Sequence, residues 1–219
     1  MTCQLPDELF VIVTKDAPSI VHWNLSLGRI VSAGAAFAQQ EGATYSQQRD
    51  AWLPWLPNPD YKTFVGFHTL RITGDMRAEY NAELVRMLRF NNLPSRLACL
   101  YAWGSLDEAL LARERIGGRF KGAIKRCRPE TLLRATRCNS ALINFAQRAE
   151  RLGFFNDQES VDLTWNTYWS GSGESISMER QNILNPSGPP ETVDMSQEPL
   201  WEWLFDGILE VLDDVTPTK

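Results

Sequence analysis

The sequence predicts an α+β fold. β-forming runs alternate with amphipathic helical segments from residue 63 onward, strands return after the helices near residue 200, and no glycine-rich nucleotide loop follows any strand. The first two observations exclude a pure helical bundle. The third removes phosphate-loop NTPases and dinucleotide Rossmann enzymes, because neither GxGxxG nor GxxxxGK followed by Ser or Thr is present.

The elements follow in order. Residues 9–15, LFVIVTK, form a short apolar β-like run, and the Ala-rich residues 30–40 fit a helix. Residues 52–60, WLPWLPNPD, hold three prolines in nine positions and predict an irregular, Trp-anchored loop. Residues 63–72, TFVGFHTLRI, are rich in β-formers and predict a strand. Residues 75–90 place Met76, Tyr80, Leu84, Met87 and Leu88 near helical spacing, with Asp75 as N-cap.

Residues 95–103, SRLACLYAW, read as a strand. Ser105 and Glu108 then make a capping box that opens a helix to Ile116. Alternation predicts a strand over 119–128, an apolar stripe of Leu142, Phe145, Ala146 and Ala149 predicts a helix over 139–152, and 160–170 reads as a further helix. Residues 171–199 are rich in Gly, Ser, Pro and Asn and read as a long surface loop. Residues 200–206 and 208–212 read as two strands, or as one strand bulged at Gly207.

The chain of 219 residues can bury a sizeable core, read here as residues 61–219 with residues 1–60 as an N-terminal extension packed on it. No apolar run reaches the roughly 18 residues that a bilayer span needs, and the start lacks the basic and apolar regions of a secretory signal. No membrane association is expected. Cys3, Cys99, Cys127 and Cys138 have no CxxC spacing, so reduced cytoplasm, of the producing cell or of a host cell if the chain is exported, is the expected location.

With two histidines, His22 and His68, and no pair at metal-ligand spacing, a zinc site is not expected. A net charge of −5 argues against a chain-wide nucleic-acid surface, although Lys121, Lys125, Arg126, Arg128, Arg134 and Arg137 cluster. That cluster reads first as a solvated face.

Three patches carry a family resemblance. FVGFHTLR around His68 resembles the first core strand of ADP-ribosyltransferases, in which an imidazole binds the NAD ribose. SRLACLYAWGSLDEALLA resembles their aromatic-bearing strand running into a helix, and LWEWLFDGILEV resembles their late strand with the catalytic glutamate. YWSGSGE at 168–174 is similar to a Tyr-Trp pair in a small bacterial group of such proteins, some of them effector-like.

The resemblance implies a split mixed β-sheet core with flanking helices and NAD as substrate. Glu202 would be catalytic, His68 and Thr69 would bind NAD, and Tyr101 would stack on nicotinamide. Arg71, Ser95 and Arg96 fit the alternative Arg-Ser-Glu arrangement of the same family. The acceptor implied is a protein, with nucleic acid as a further possibility. Leu200 stands where arginine-modifying members carry Glu or Gln, so arginine is disfavoured. A catalytically inactive protein-binding module on the same scaffold is the alternative, and eight tryptophans suit an interface.

Overall fold

The computed structural model describes residues 4–14, 17–36, 67–116, 122–152, 158–180, 187–194 and 198–215. They form a mixed α/β structure with an antiparallel sheet and divide into two compact units. The first unit combines residues 1–52, 91–138 and 200–219, and the second combines 53–90 and 139–199. The expected loop at 52–60 lies outside the described residues, and of the helix expected over 30–40 only residues 33–36 are helical, with Ile30 and Val31 in a strand and residues 37–40 outside the described residues.

The first unit holds β1 (Leu9–Thr14), α1 (Ser19–Ser26), β2 (Arg29–Val31), β3 (Leu100–Ala102), α3 (Leu106–Ile116), β4 (Gly122–Asn139) and β7 (Trp201–Val215). Strand order is β1-β4-β7-β2, and β3 also pairs with β7. β1 runs antiparallel to β4, with Leu9 opposite Cys127 and Val13 opposite Ala123. Phe10 and Trp103 exchange both main-chain hydrogen bonds, at 2.8 and 2.9 Å.

Strand pairing therefore runs from β1 through β4, β7 and β3 back to β1. The interior of this circuit is apolar: Leu9, Val11, Ala102, Trp203, Phe205 and Leu209 pack in one buried cluster. Residues 1–60, expected as an extension on the core, thus supply two strands of the sheet itself. The sheet is antiparallel rather than mixed in every pairing for which a register is described.

β7 is one strand running through Gly207 rather than two. Gly207 has φ 154°, and a Cβ there would lie 2.0 Å from the Thr131 carbonyl oxygen on β4. A side chain does not fit between the two strands at that point. The expected strand at 119–128 extends to Asn139.

Cross-strand ion pairs link β4 to β7: Lys125 with Asp214, Arg126 with Asp213 at 2.6 Å, and Arg128 with Glu210 at 2.6 Å. Arg137 meets Glu108 at 3.0 Å and lies over the Trp201 ring, and Arg134 donates to the Asn91 carbonyl at 2.8 Å. The described members of the basic cluster read from the sequence are in this way matched by acidic and carbonyl partners, Lys121 lying outside the described residues. Ser105 caps the helix, with Glu108 N donating to Ser105 Oγ at 3.2 Å, while the Glu108 carboxylate accepts from Gly104 N, one residue before the cap, at 3.0 Å.

The second unit holds α2 (Phe67–Arg89), α4 (Ala141–Leu152), α5 (Gln158–Trp169), β5 (Ser177–Arg180) and β6 (Glu191–Asp194). The strand expected over 63–72 is not formed where the chain is described: Phe67 to Ile72 are the first turns of α2, which continues through Gly74. The apolar residues of that stretch also satisfy helical spacing when joined to Met76 and Tyr80, and a 23-residue helix outcompetes a short strand.

α2 packs against α4 and α5 through small residues, Ala78 and Ala82 among them, which let the helices approach closely. Trp165, Tyr168 and Trp169 form edge-to-face pairs, and Trp169 Nε1 donates to the Ala82 carbonyl at 2.8 Å. The Tyr-Trp pair of the YWSGSGE motif is therefore core here. Within the expected loop 171–199, β5 and β6 pair as an antiparallel ribbon. Among the described residues no helix is long and apolar enough to cross a membrane.

Candidate functional site

Alternation along β7 sends Trp203 and Phe205 into the apolar interior and Glu202, Leu204 and Asp206 to the opposite face. All five are buried. Tyr101 on β3 stands opposite Leu204, so its ring shares the face that carries Glu202.

Arg96 connects them. Its Nη1 donates to Glu202 Oε1 at 2.9 Å, with the two side chains 6% and 4% exposed. Its guanidinium carbon lies 5.1 Å from the Tyr101 ring centre, and the Tyr101 hydroxyl donates to the Arg96 carbonyl at 2.7 Å. Arg96 is placed by a tight turn: the Ser95 carbonyl accepts from Ala98 N and Cys99 N at 3.1 and 3.0 Å, and Ser95 Oγ accepts from Leu97 N at 3.2 Å. This turn replaces the first half of the strand expected over 95–103.

Asp206 extends the polar group. Ser32 Oγ donates to Asp206 Oδ1 at 2.5 Å and accepts from Ala35 N and Gly207 N, each at 3.0 Å. The carboxylate lies against Gly34, where an added Cβ would come within 2.6 Å of Oδ1. The Cys99 thiol sits among these groups and is pushed well above its ordinary range, first by burial and further by Glu202, Asp206 and Cys138, with Arg96 acting the other way. It is a neutral thiol at physiological pH.

Beside Tyr101 the seam between β1 and β3 opens. After the Phe10–Trp103 pair the strands diverge, leaving a cavity of about 210 Å³ lined by β1, α1, β2 and Cys99 to Tyr101. Phe10 directs its N–H and C=O toward β3, so antiparallel alternation turns those of Ile12 the same way, toward the gap. The lining is mainly aliphatic, with Thr14, Asn24, Cys99 and Tyr101 as its polar residues, and no charged residue lines it among those described.

Of the residues singled out in the sequence, the structure gathers Ser95, Tyr101 and Glu202 in the first unit, with Arg96 between them. His68, Thr69 and Arg71 lie on α2 in the second unit, on a helix instead of a strand, and their side chains fall outside the described residues. The polar pair Ser32–Asp206 was not singled out. Its one sequence signal is that Asp206 shares strand parity with Glu202 inside an otherwise apolar run.

No protein-family model matches the chain, and no curated protein matches it.

Proposed function

We propose that the chain is an NAD-dependent ADP-ribosyltransferase, with Glu202 as the catalytic carboxylate and the cavity beside Tyr101 as the receptacle for the nicotinamide end of NAD. The observation that carries this reading is the continuity of Tyr101, Arg96 and Glu202 on one face of β3 and β7, next to that cavity. Its volume, about 210 Å³, is below the roughly 300–1,000 Å³ of sites for drug-sized ligands, so it suits one ring and not a dinucleotide. The N–H and C=O of Ile12, both turned into the gap, offer the donor and acceptor that complement a carboxamide.

The chemistry is a glycosidic substitution. The bond from the ribose anomeric carbon to nicotinamide nitrogen breaks, its electron pair leaves with nicotinamide, and an acceptor nucleophile bonds to that carbon and gives up its proton. Positive charge develops on the ribose, and a carboxylate held a few Å away in a water-poor site stabilises it by about 3–4 kcal/mol, the scale of removing one preorganised electrostatic group. The protein acceptor is other than arginine, in keeping with Leu200. A nucleic-acid acceptor draws less support, because Lys125, Arg126 and Arg128 are occupied by acidic partners.

A second reading, a catalytically inactive binding or effector module on the same scaffold, is favoured by one feature: Glu202 is 3% exposed and ion-paired. Incubating the purified chain with NAD labelled in the adenylate phosphate, with and without cell lysate, separates the two. The transferase reading expects label on a macromolecule and at least a hundredfold loss with Glu202→Gln. A chain that neither binds nor consumes NAD refutes it and leaves the inactive module.

A further inference from the structure

Arg96 stands out because Tyr101 holds it from two directions, by the ring beneath its guanidinium and by the hydroxyl on its own carbonyl, while its Nη1 reaches Glu202. We infer that Arg96 is a positioning residue: it fixes the Glu202 carboxylate in one orientation relative to the Tyr101 ring, and it acts through that carboxylate rather than through contact with substrate. The inference rests on the reading of Glu202 as the reacting carboxylate.

The physical basis is geometric. A glutamate has three side-chain torsions, and a buried carboxylate with one oxygen held at 2.9 Å by a guanidinium loses most of that freedom. The guanidinium is itself restrained: Arg96 is 6% exposed and lies inside a turn closed by two main-chain hydrogen bonds. Orientation of the carboxylate is thereby transmitted from the β3 turn to β7, and the aromatic ring and the acid form one rigid set.

The test uses Arg96→Met, Arg96→Lys, Glu202→Gln and the charge-balanced double variant Arg96→Met/Glu202→Gln in the full chain, each checked for folding by near-ultraviolet circular dichroism. In NAD turnover, Arg96→Met is expected to lower kcat about a hundredfold with KM within about twofold, Arg96→Lys to restore part of it, and the double variant to be no worse than Glu202→Gln alone. A rise in KM at unchanged kcat would mean that Arg96 binds substrate and would overturn the inference, as would wild-type kinetics in Arg96→Met.

A readout without turnover keeps the two readings apart. Glu202→Gln should shift the Tyr101 ring resonances in NMR spectra of ring-labelled protein, and Arg96→Met should abolish that response. If the wild type fails to turn over NAD, the transferase proposal falls, and the Tyr101 response alone then reports whether Arg96 orients the Glu202 carboxylate. A Tyr101 response that persists in the Arg96→Met background, or none at all in the native one, removes the positioning role.

Discussion

Replacing Gly207 by alanine tests the β4–β7 packing that presents Glu202. The new Cβ would lie 2.0 Å from the Thr131 carbonyl oxygen and 3.0 Å from Phe205 Cε1, at a residue with φ 154°. Neither obstacle yields cheaply, since one is main chain in a paired strand and the other is a buried ring.

Backbone strain costs about 1–3 kcal/mol and overpacking about another 1–3. The reduced freedom of the unfolded chain returns about 0.4–1 kcal/mol. With a central value of about 3 kcal/mol, the midpoint of thermal unfolding should fall by about 6–12 °C for a chain of this size. Differential scanning calorimetry reads it.

Gly28→Ala is the comparison: φ is 73° there, but nothing lies within 4 Å of the added carbon, so only the conformational part applies. If Gly207→Ala proved no more destabilising than Gly28→Ala, the close strand contact would carry no energetic weight and the reasoning would be wrong.

Further outcomes follow from the same structure. Phe205→Ala, in the apolar interior at 0% exposure, should cost about 3–5 kcal/mol in urea unfolding. Arg128→Ala should cost less than about 1 kcal/mol, because that pair is 61% and 44% exposed. Cys127, its thiol pushed up to about 12 chiefly by burial, should resist iodoacetamide at pH 8 by about a thousandfold relative to a free cysteine.

The same thiol fixes a pH dependence. The folded chain keeps this proton where the unfolded one, with a pKa near 8.5, has lost it. Unfolding therefore releases protons above about pH 8.5, and stability falls by up to about 1.4 kcal/mol per pH unit until the folded thiol itself ionises near 12. Cys127→Ala should flatten that part of the stability profile relative to wild type.

Local signals carried much of the fold. The apolar run of 9–15, the capping pair Ser105 and Glu108, the apolar stripe of 139–152 and the helical reading of 160–170 each name the element that forms. Glycine at 207 offered a choice between a break and a continuous strand, and the close approach of β4 decides for continuity. Where two periodicities coexisted, local reading failed: the stretch from Phe67 satisfies a strand by composition and a helix by its continuation.

The candidate site was legible in residue type and not in connection. Tyr101 and Glu202 stood out as an aromatic and an acid on apolar strands. Their link through Arg96 depends on a turn at 95–98 that a run of apolar residues conceals. Ser32 and Asp206 are far apart in sequence, and nothing short of the register of β2 on β7 brings them together.

The circuit of strands also sets how the molecule must be made. β2, β3 and β4 each lack a neighbour until the last strand, β7, arrives, with most of the sequence between β2 and β7. Such long-range closure slows folding and leaves the apolar lining of β1 and β4 open during synthesis. Shortening the chain ahead of Trp201 would strip a wall from that lining and favour aggregation over a smaller native state.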